Sequence, residues 1–224
     1  RLGVFLLAAA LALPVLPTDG LIGLGPGWSP WLSVGTAAAA RRWTPWALLG
    51  MPLIVLSLFR GPWFCARLCP MGFAVEHIGR MAPTRADRFR RFPPLGRWLA
   101  LVMAGGIVAG YPLFLWMDPL ALFNGFFSAW RRPWVWWNLL PAMGCVVVMA
   151  GSVMWPQAWC RRVCPLGGLQ TMLGTLGQTV RRRLRGASPG GETGERSVWG
   201  PVSGRRAFLA ALAGLGIGLG MRRW

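Results

Sequence analysis

The sequence predicts an all-α, polytopic membrane protein: two tandem two-span repeats, giving four transmembrane helices, followed by one more apolar segment. Three observations carry this expectation. The 224 residues are 54% hydrophobic, with several uncharged stretches near the ~20 residues that a helix needs to cross a bilayer. All 24 basic residues are arginine, and they cluster beside the apolar runs. An eight-residue motif occurs twice, each time directly after an apolar run.

The first span is read over residues 2–16 and ends at Pro17-Thr18-Asp19-Gly20. Residues 21–40 are broken by Gly23, Gly25, Pro26, Gly27 and Pro30, which suits a half-helix with Ser29 as its cap. Arg41-Arg42 leads into a second span over 43–59. An arginine-rich stretch, 74–97, precedes a third span over 98–117, which stops at Asp118-Pro119. A loop with Arg131-Arg132 leads to the fourth span, 134–155. Trp28, Trp31, Trp43 and Trp46, and later Trp130, Trp134, Trp136 and Trp137, gather where spans are expected to meet headgroups.

The predicted organisation is a membrane domain over 1–180, with repeat one over about 1–80 and repeat two over about 96–178. A polar linker, 181–204, and a C-terminal apolar segment, 205–224, complete it. Asp19 is paired with Asp118 as the matching loop end: Asp19 to Cys65 is 46 residues and Asp118 to Cys160 is 42. Two spans per repeat put both motifs on one side of the bilayer. The arginine distribution makes that side the cytoplasm, at a bacterial inner membrane. The same flanking placement explains the net charge of +18 without nucleic acid as a partner.

The duplicated motif is Cys65-Ala66-Arg67-Leu68-Cys69-Pro70-Met71-Gly72 and Cys160-Arg161-Arg162-Val163-Cys164-Pro165-Leu166-Gly167. It holds four of the five cysteines. Proline suits the first turn of a helix, so Cys69 and Cys164 are expected as helix caps. There the dipole and the nearby Arg67, Arg161 and Arg162 favour thiolates. Cys65, Cys69, Cys160 and Cys164 are therefore the candidate metal ligands. A [4Fe-4S] cluster is the preferred cofactor, because Cys-Pro recurs among cluster ligands. Zinc is the alternative that spacing does not separate. Cys145, mid-span among Val and Met, reads as a buried small side chain. His77 is the one histidine, so a bis-histidine haem cannot be built within one chain. Glu76 and His77 read as a solvated helix face, or alternatively as groups for proton uptake. Gly214 to Gly220 could pack helices closely, but the sequence names no partner for them.

Trp63-Phe64-Cys65-x3-Cys69-Pro70-x-Gly72 and Trp159-Cys160-x3-Cys164-Pro165-x-Gly167, with Ser29-Pro30 and Asp118-Pro119-Leu120, resemble the NapH/NosR-type family of membrane iron–sulfur electron-transfer proteins. The resemblance covers residues 15–180. It implies an electron-transfer subunit relaying electrons from the quinol pool or a cytoplasmic donor to a respiratory reductase. A ferredoxin-type or periplasmic redox protein would be its partner. It also implies two alternatives: an assembly or redox-sensing protein for a copper or haem oxidoreductase, and a zinc-stabilised scaffold. No substrate-converting group stands out, so the expectation is an electron-transfer component, not a self-sufficient catalyst. The family's further ferredoxin-type cysteine runs are missing here. Arg205-Arg206-Ala207-Phe208-Leu209 is similar to a twin-arginine signal, or it begins a fifth span. With both ends abrupt, the chain reads as the membrane part of a NapH–NapG-like fusion.

Overall fold

The computed structural model describes residues 2–12, 27–42, 48–81, 93–131, 136–184 and 204–221. Among these there are helices and turns and no strand. The readings of Asp19, Trp43, Trp46, Trp134, the 82–92 arginines and most of the linker lie outside the described residues.

The helices are α1 (Leu2–Ala12), α2 (Pro30–Ala40), α3 (Met51–Arg60), α4 (Trp63–Arg67), α5 (Pro70–Met81) and α6 (Leu95–Val108). They continue with α7 (Pro119–Arg131), α8 (Trp136–Met154), α9 (Pro165–Leu184) and α10 (Gly204–Met221). A short 3-10 turn spans Leu115–Met117, and a π turn spans Trp159–Val163. The all-helical part of the expectation holds.

The membrane part does not. Among the described residues, no helix is long and apolar enough to cross a membrane. Four transmembrane helices are thereby replaced by a set of mostly shorter ones, and the multi-pass inner-membrane placement loses its support. Local chemistry accounts for the shortening. The third expected span ends at Val108, because Gly110 adopts φ +78° and closes a left-handed cap. Gly110 N–H donates to the Ile107 carbonyl and Tyr111 N–H to the Gly106 carbonyl, each at 2.9 Å, and Pro112 follows. Of the second expected span, the described residues form α3, which starts beside Pro52 only after a turn at 49–50 and runs on to Arg60. α8 contains Pro141, and α10 carries Arg205 and Arg206 in its first turn. Apolar residues of the expected spans are exposed, among them Val55 and Phe59 on α3 and Leu140, Met143 and Val147 on α8.

One core runs through the molecule. Trp31, Leu53, Phe64, Met71, Val75, Met103, Leu122, Val148 and Leu166 are buried in it, with Cys69, Cys145 and Cys164. α9 lies between α3 and α6, while α8 packs on α7 and α5. Backbones approach closely along α9. Gly174 faces the Gly61 Cα, where an added Cβ would stand 2.7 Å away, and Gly168 faces the backbone of Gly96.

The glycine-rich tail does have a partner. α10 runs along α6, with Gly214 against the Val102 backbone and Gly218 against Gly106 and Ala109. Absent side chains on both helices allow this approach, the device expected where helices pair through small residues.

The repeat is also visible, with one shift of register. α2 begins at Ser29-Pro30 and α7 at Asp118-Pro119, so Ser29 corresponds to Asp118. The two meet, Ser29 Oγ donating to Asp118 Oδ1 at 2.8 Å.

Candidate metal centre

Each cysteine motif folds into the same hook. In the first, α4 carries Cys65 and ends at Leu68. The Cys69 N–H then donates to the Phe64 carbonyl at 3.0 Å. In the second, the π turn carries Cys160, and the Cys164 N–H donates to the Trp159 carbonyl at 2.7 Å. Both are five-residue closures, wider than an α-helical turn. After each, proline opens a new helix, α5 or α9.

The second cysteine of each motif caps that helix, as the sequence predicts. Its carbonyl takes the first helical hydrogen bond, from Phe73 N–H at 3.1 Å or Gly168 N–H at 3.0 Å. Its sulfur accepts a backbone N–H three residues on: Gly72 to Cys69 Sγ at 3.4 Å, and Gly167 to Cys164 Sγ at 3.5 Å. Sulfur thus stands where a serine or aspartate oxygen usually caps.

The motif's glycine is explained by the same geometry. A Cβ on Gly72 would lie 2.7 Å from the Cys65 carbonyl oxygen, and one on Gly167 would lie 2.8 Å from that of Cys160. Backbone oxygen cannot swing aside, so only hydrogen fits. The glycine brings the first cysteine of each motif back over the helix that the second cysteine caps.

The two hooks face a common interior. Cys65 lies close enough to Cys164, Cys69 and Cys160 for charge on any of them to act on it. Cys164 is likewise coupled to Cys160 and Cys69, and Cys160 to Cys69. Gln170, on α9, ties the motifs directly: its Oε1 accepts the Cys65 N–H at 3.5 Å. Cys145 is buried 4% exposed with no such coupling, as expected of a packing residue.

The thiolate expectation is corrected. Burial pushes all four thiols up, Cys69 to about 12. Mutual repulsion adds to this for Cys65, Cys160 and Cys164. The N–H groups at Cys69 and Cys164, and Arg161 beside Cys160, oppose it without prevailing. Arg67 has its guanidinium 5.8 Å over the Trp63 ring. Desolvation outweighs the helix dipole here because Cys69 and Cys164 sit inside the core, with Cys65 and Cys160 partly buried against it.

That balance tests what the donors suit. Four buried thiolates are untenable alone, but become favourable around a cationic core that takes their charge. Among the described residues, no three His, Cys, Asp or Glu side chains are grouped to hold a single metal ion. The four thiols nevertheless lie near enough for charge on one to act on another, and thiolate is the ligand that an iron–sulfur centre takes. The residues present fit such a group.

A family model described as 4Fe-4S binding domain matches residues 43–91 and 137–186. Each matched segment encloses one hook. The cofactor is a [4Fe-4S] cluster. The chain is thus an iron–sulfur protein, and the match supports an electron-transfer role. No curated protein and no solved structure matches.

The reading of Arg97 changes, and that of Glu76 and His77 as a solvated helix face stands. Arg97, counted among the flanking charges, is buried at 5% exposure. Burial and the neighbouring Arg162 both pull its pKa down. Glu76 pairs with Arg80 at 2.6 Å along one helix, and the exposed His77 stacks on Phe73 with ring centroids 4.9 Å apart. Sequence reasoning missed Gln170. It stands six residues after Cys164, where the first copy has Val75 six after Cys69, so superposing the two copies exposes a polar change in the core.

Proposed function

We propose that Cys65, Cys69, Cys160 and Cys164 together hold one [4Fe-4S] cluster. In this reading the chain relays single electrons between a donor, either a quinol or a cytoplasmic carrier, and a partner redox protein of ferredoxin or periplasmic type. The observation that carries the ligand set is the pair of matching cysteine hooks, each inside a matched segment, joined where the Cys65 N–H meets Gln170 on the helix that Cys164 caps. The resemblance of the repeated motif to NapH/NosR-type proteins supports the relay.

When bound, the cluster supplies reversible one-electron chemistry. The chain's own contribution is to bury Cys69 and Cys164, cover Cys65 and Cys160 in part, and fix their directions through two hooks. It also supplies the N–H groups of Gly72 and Gly167 to the sulfurs of Cys69 and Cys164. Hydrogen bonds to ligand sulfur and shielding from solvent are the levers a protein has on such a centre.

Anaerobic purification tests this. About four irons and four sulfides per chain are expected. Serine at any of the four positions should lower both, and a quinol analogue or dithionite should reduce the centre. A colourless protein holding one zinc, or full iron content after Cys160→Ser, would reject the ligand set.

A further inference from the structure

Gln170 is 1% exposed and sits in the core beside the first hook. Its amide orientation is decided by chemistry. The Cys65 N–H can only donate, so the oxygen of the amide must face it, at 3.5 Å. That leaves Nε2 as the other end, and this nitrogen is buried with no acceptor in the protein. An orphaned buried donor is destabilising, and valine fills the matching place in the first copy without one. Val75, its counterpart, is equally buried at 1%. The nearby Asp118 carboxylate already accepts from Ser29, Leu120 and Ala121, which leaves sulfur as the acceptor still open. Cys65, Cys69, Cys160 and Cys164 belong to the same packed cluster, and Gln170 stands on the helix that Cys164 caps.

We propose that the Gln170 amide donates its free N–H to sulfur of the assembled centre, either a ligand thiolate or a sulfide, and thereby raises its reduction potential. The role rests on the ligand set proposed above. An N–H donor is drawn more strongly to sulfur as negative charge on the centre grows, so it favours the reduced state. Gln170 is thus a tuning residue. It also makes the two motifs unequal, since the helix after the second carries an amide where the first has Val75.

Gln170→Met keeps length and apolar bulk and removes the donor. With anaerobically purified full-length protein, iron and sulfide should stay at the native level. The ratio of reduced to oxidised centre at a fixed potential should fall about tenfold, equivalent to ~59 mV for one electron. Native protein grown with amide-labelled 15N-glutamine should show a nitrogen coupling in the pulsed EPR of the reduced state. That coupling should survive Gln157→Asn and Gln178→Ala. Full iron with an unchanged potential in Gln170→Met would overturn this role and leave the ligand set standing. Should Gln170→Met fail to fill or fold, the labelled native protein decides: a coupling supports the role, and its absence overturns it. Native protein without iron and sulfide would overturn both.

Discussion

The hydroxyl of Ser29 donates to the carboxylate of Asp118 at 2.8 Å, and the two residues hold equivalent places in the two halves of the chain. Both precede the proline that opens a helix, and both are fully buried. Asp118 also accepts the N–H of Leu120 at 3.1 Å and of Ala121 at 3.4 Å, capping α7. The halves therefore touch at matching points, and one half supplies the donor while the other supplies the acceptor.

This contact gives a pH dependence. Burial pushes the Asp118 carboxyl up from 3.8 to about 6, against the pull of its three donors. The folded state then holds the proton more tightly than the unfolded chain. The stabilisation is complete below about pH 4, declines as the pH rises, and is lost through about pH 6. Two pKa units correspond to about 3 kcal/mol. Asp118→Asn should flatten the fall in stability over this window, measured as urea midpoint against pH. An identical slope in both proteins would contradict the assignment.

The motif glycines give a sharper test, because helix propensity and packing predict opposite signs. Alanine in a helix gains about 0.5–1 kcal/mol over glycine. At Gly72 and Gly167 the added Cβ meets a carbonyl oxygen at 2.7 and 2.8 Å, so Gly72→Ala and Gly167→Ala should each cost ~1–3 kcal/mol. Iron content should fall in both. Denaturant midpoints and metal analysis of the same preparations read the two effects.

A matched pair on α10 checks its seating on α6. A Cβ at Gly218 would stand 2.7 Å from the Ala109 Cβ, whereas one at Gly216 meets nothing within 4 Å. Gly218→Ala should destabilise by about 1–3 kcal/mol and speed proteolysis of the C-terminal helix. Gly216→Ala should be neutral or slightly stabilising.

Cys145 separates packing from ligation. Burial alone pushes its thiol up to about 11. Cys145→Ser places a hydroxyl among apolar neighbours and should cost about 1–3 kcal/mol, with iron and colour unchanged. Loss of iron in this variant would bring a fifth thiol into the centre.

The sequence makes the helical class, the duplicated motif and the proline-led caps legible, because each rests on local chemistry. Cys69 before Pro70 and Cys164 before Pro165 cap α5 and α9 as spacing predicts. Helix length is not legible from apolar runs. Gly110 ends α6 inside a stretch that hydropathy reads as continuous, because positive φ, not polarity, stops it. The correspondence of Ser29 with Asp118 is hidden because the second half has 42 residues between Asp118 and Cys160, and the first only 36 between Ser29 and Cys65. Burial of the thiols is a tertiary property, so motif chemistry alone points their pKa values the wrong way. Gln170 is hidden for the same reason: its partner, Cys65, is 105 residues away.

The seating of α9 carries one further consequence. Its glycines press main chain onto main chain on two sides, at Gly168 against Gly96 and at Gly174 against Gly61, leaving it no slack to tilt or slide. α5 meets its neighbours through side chains, such as Phe73 against Phe5 with centroids 5.2 Å apart, and these can repack. Under the ligand set proposed above, the Cys160 and Cys164 hook would lead into the helix seated main chain on main chain, and the Cys65 and Cys69 hook into one seated in part on aromatic rings.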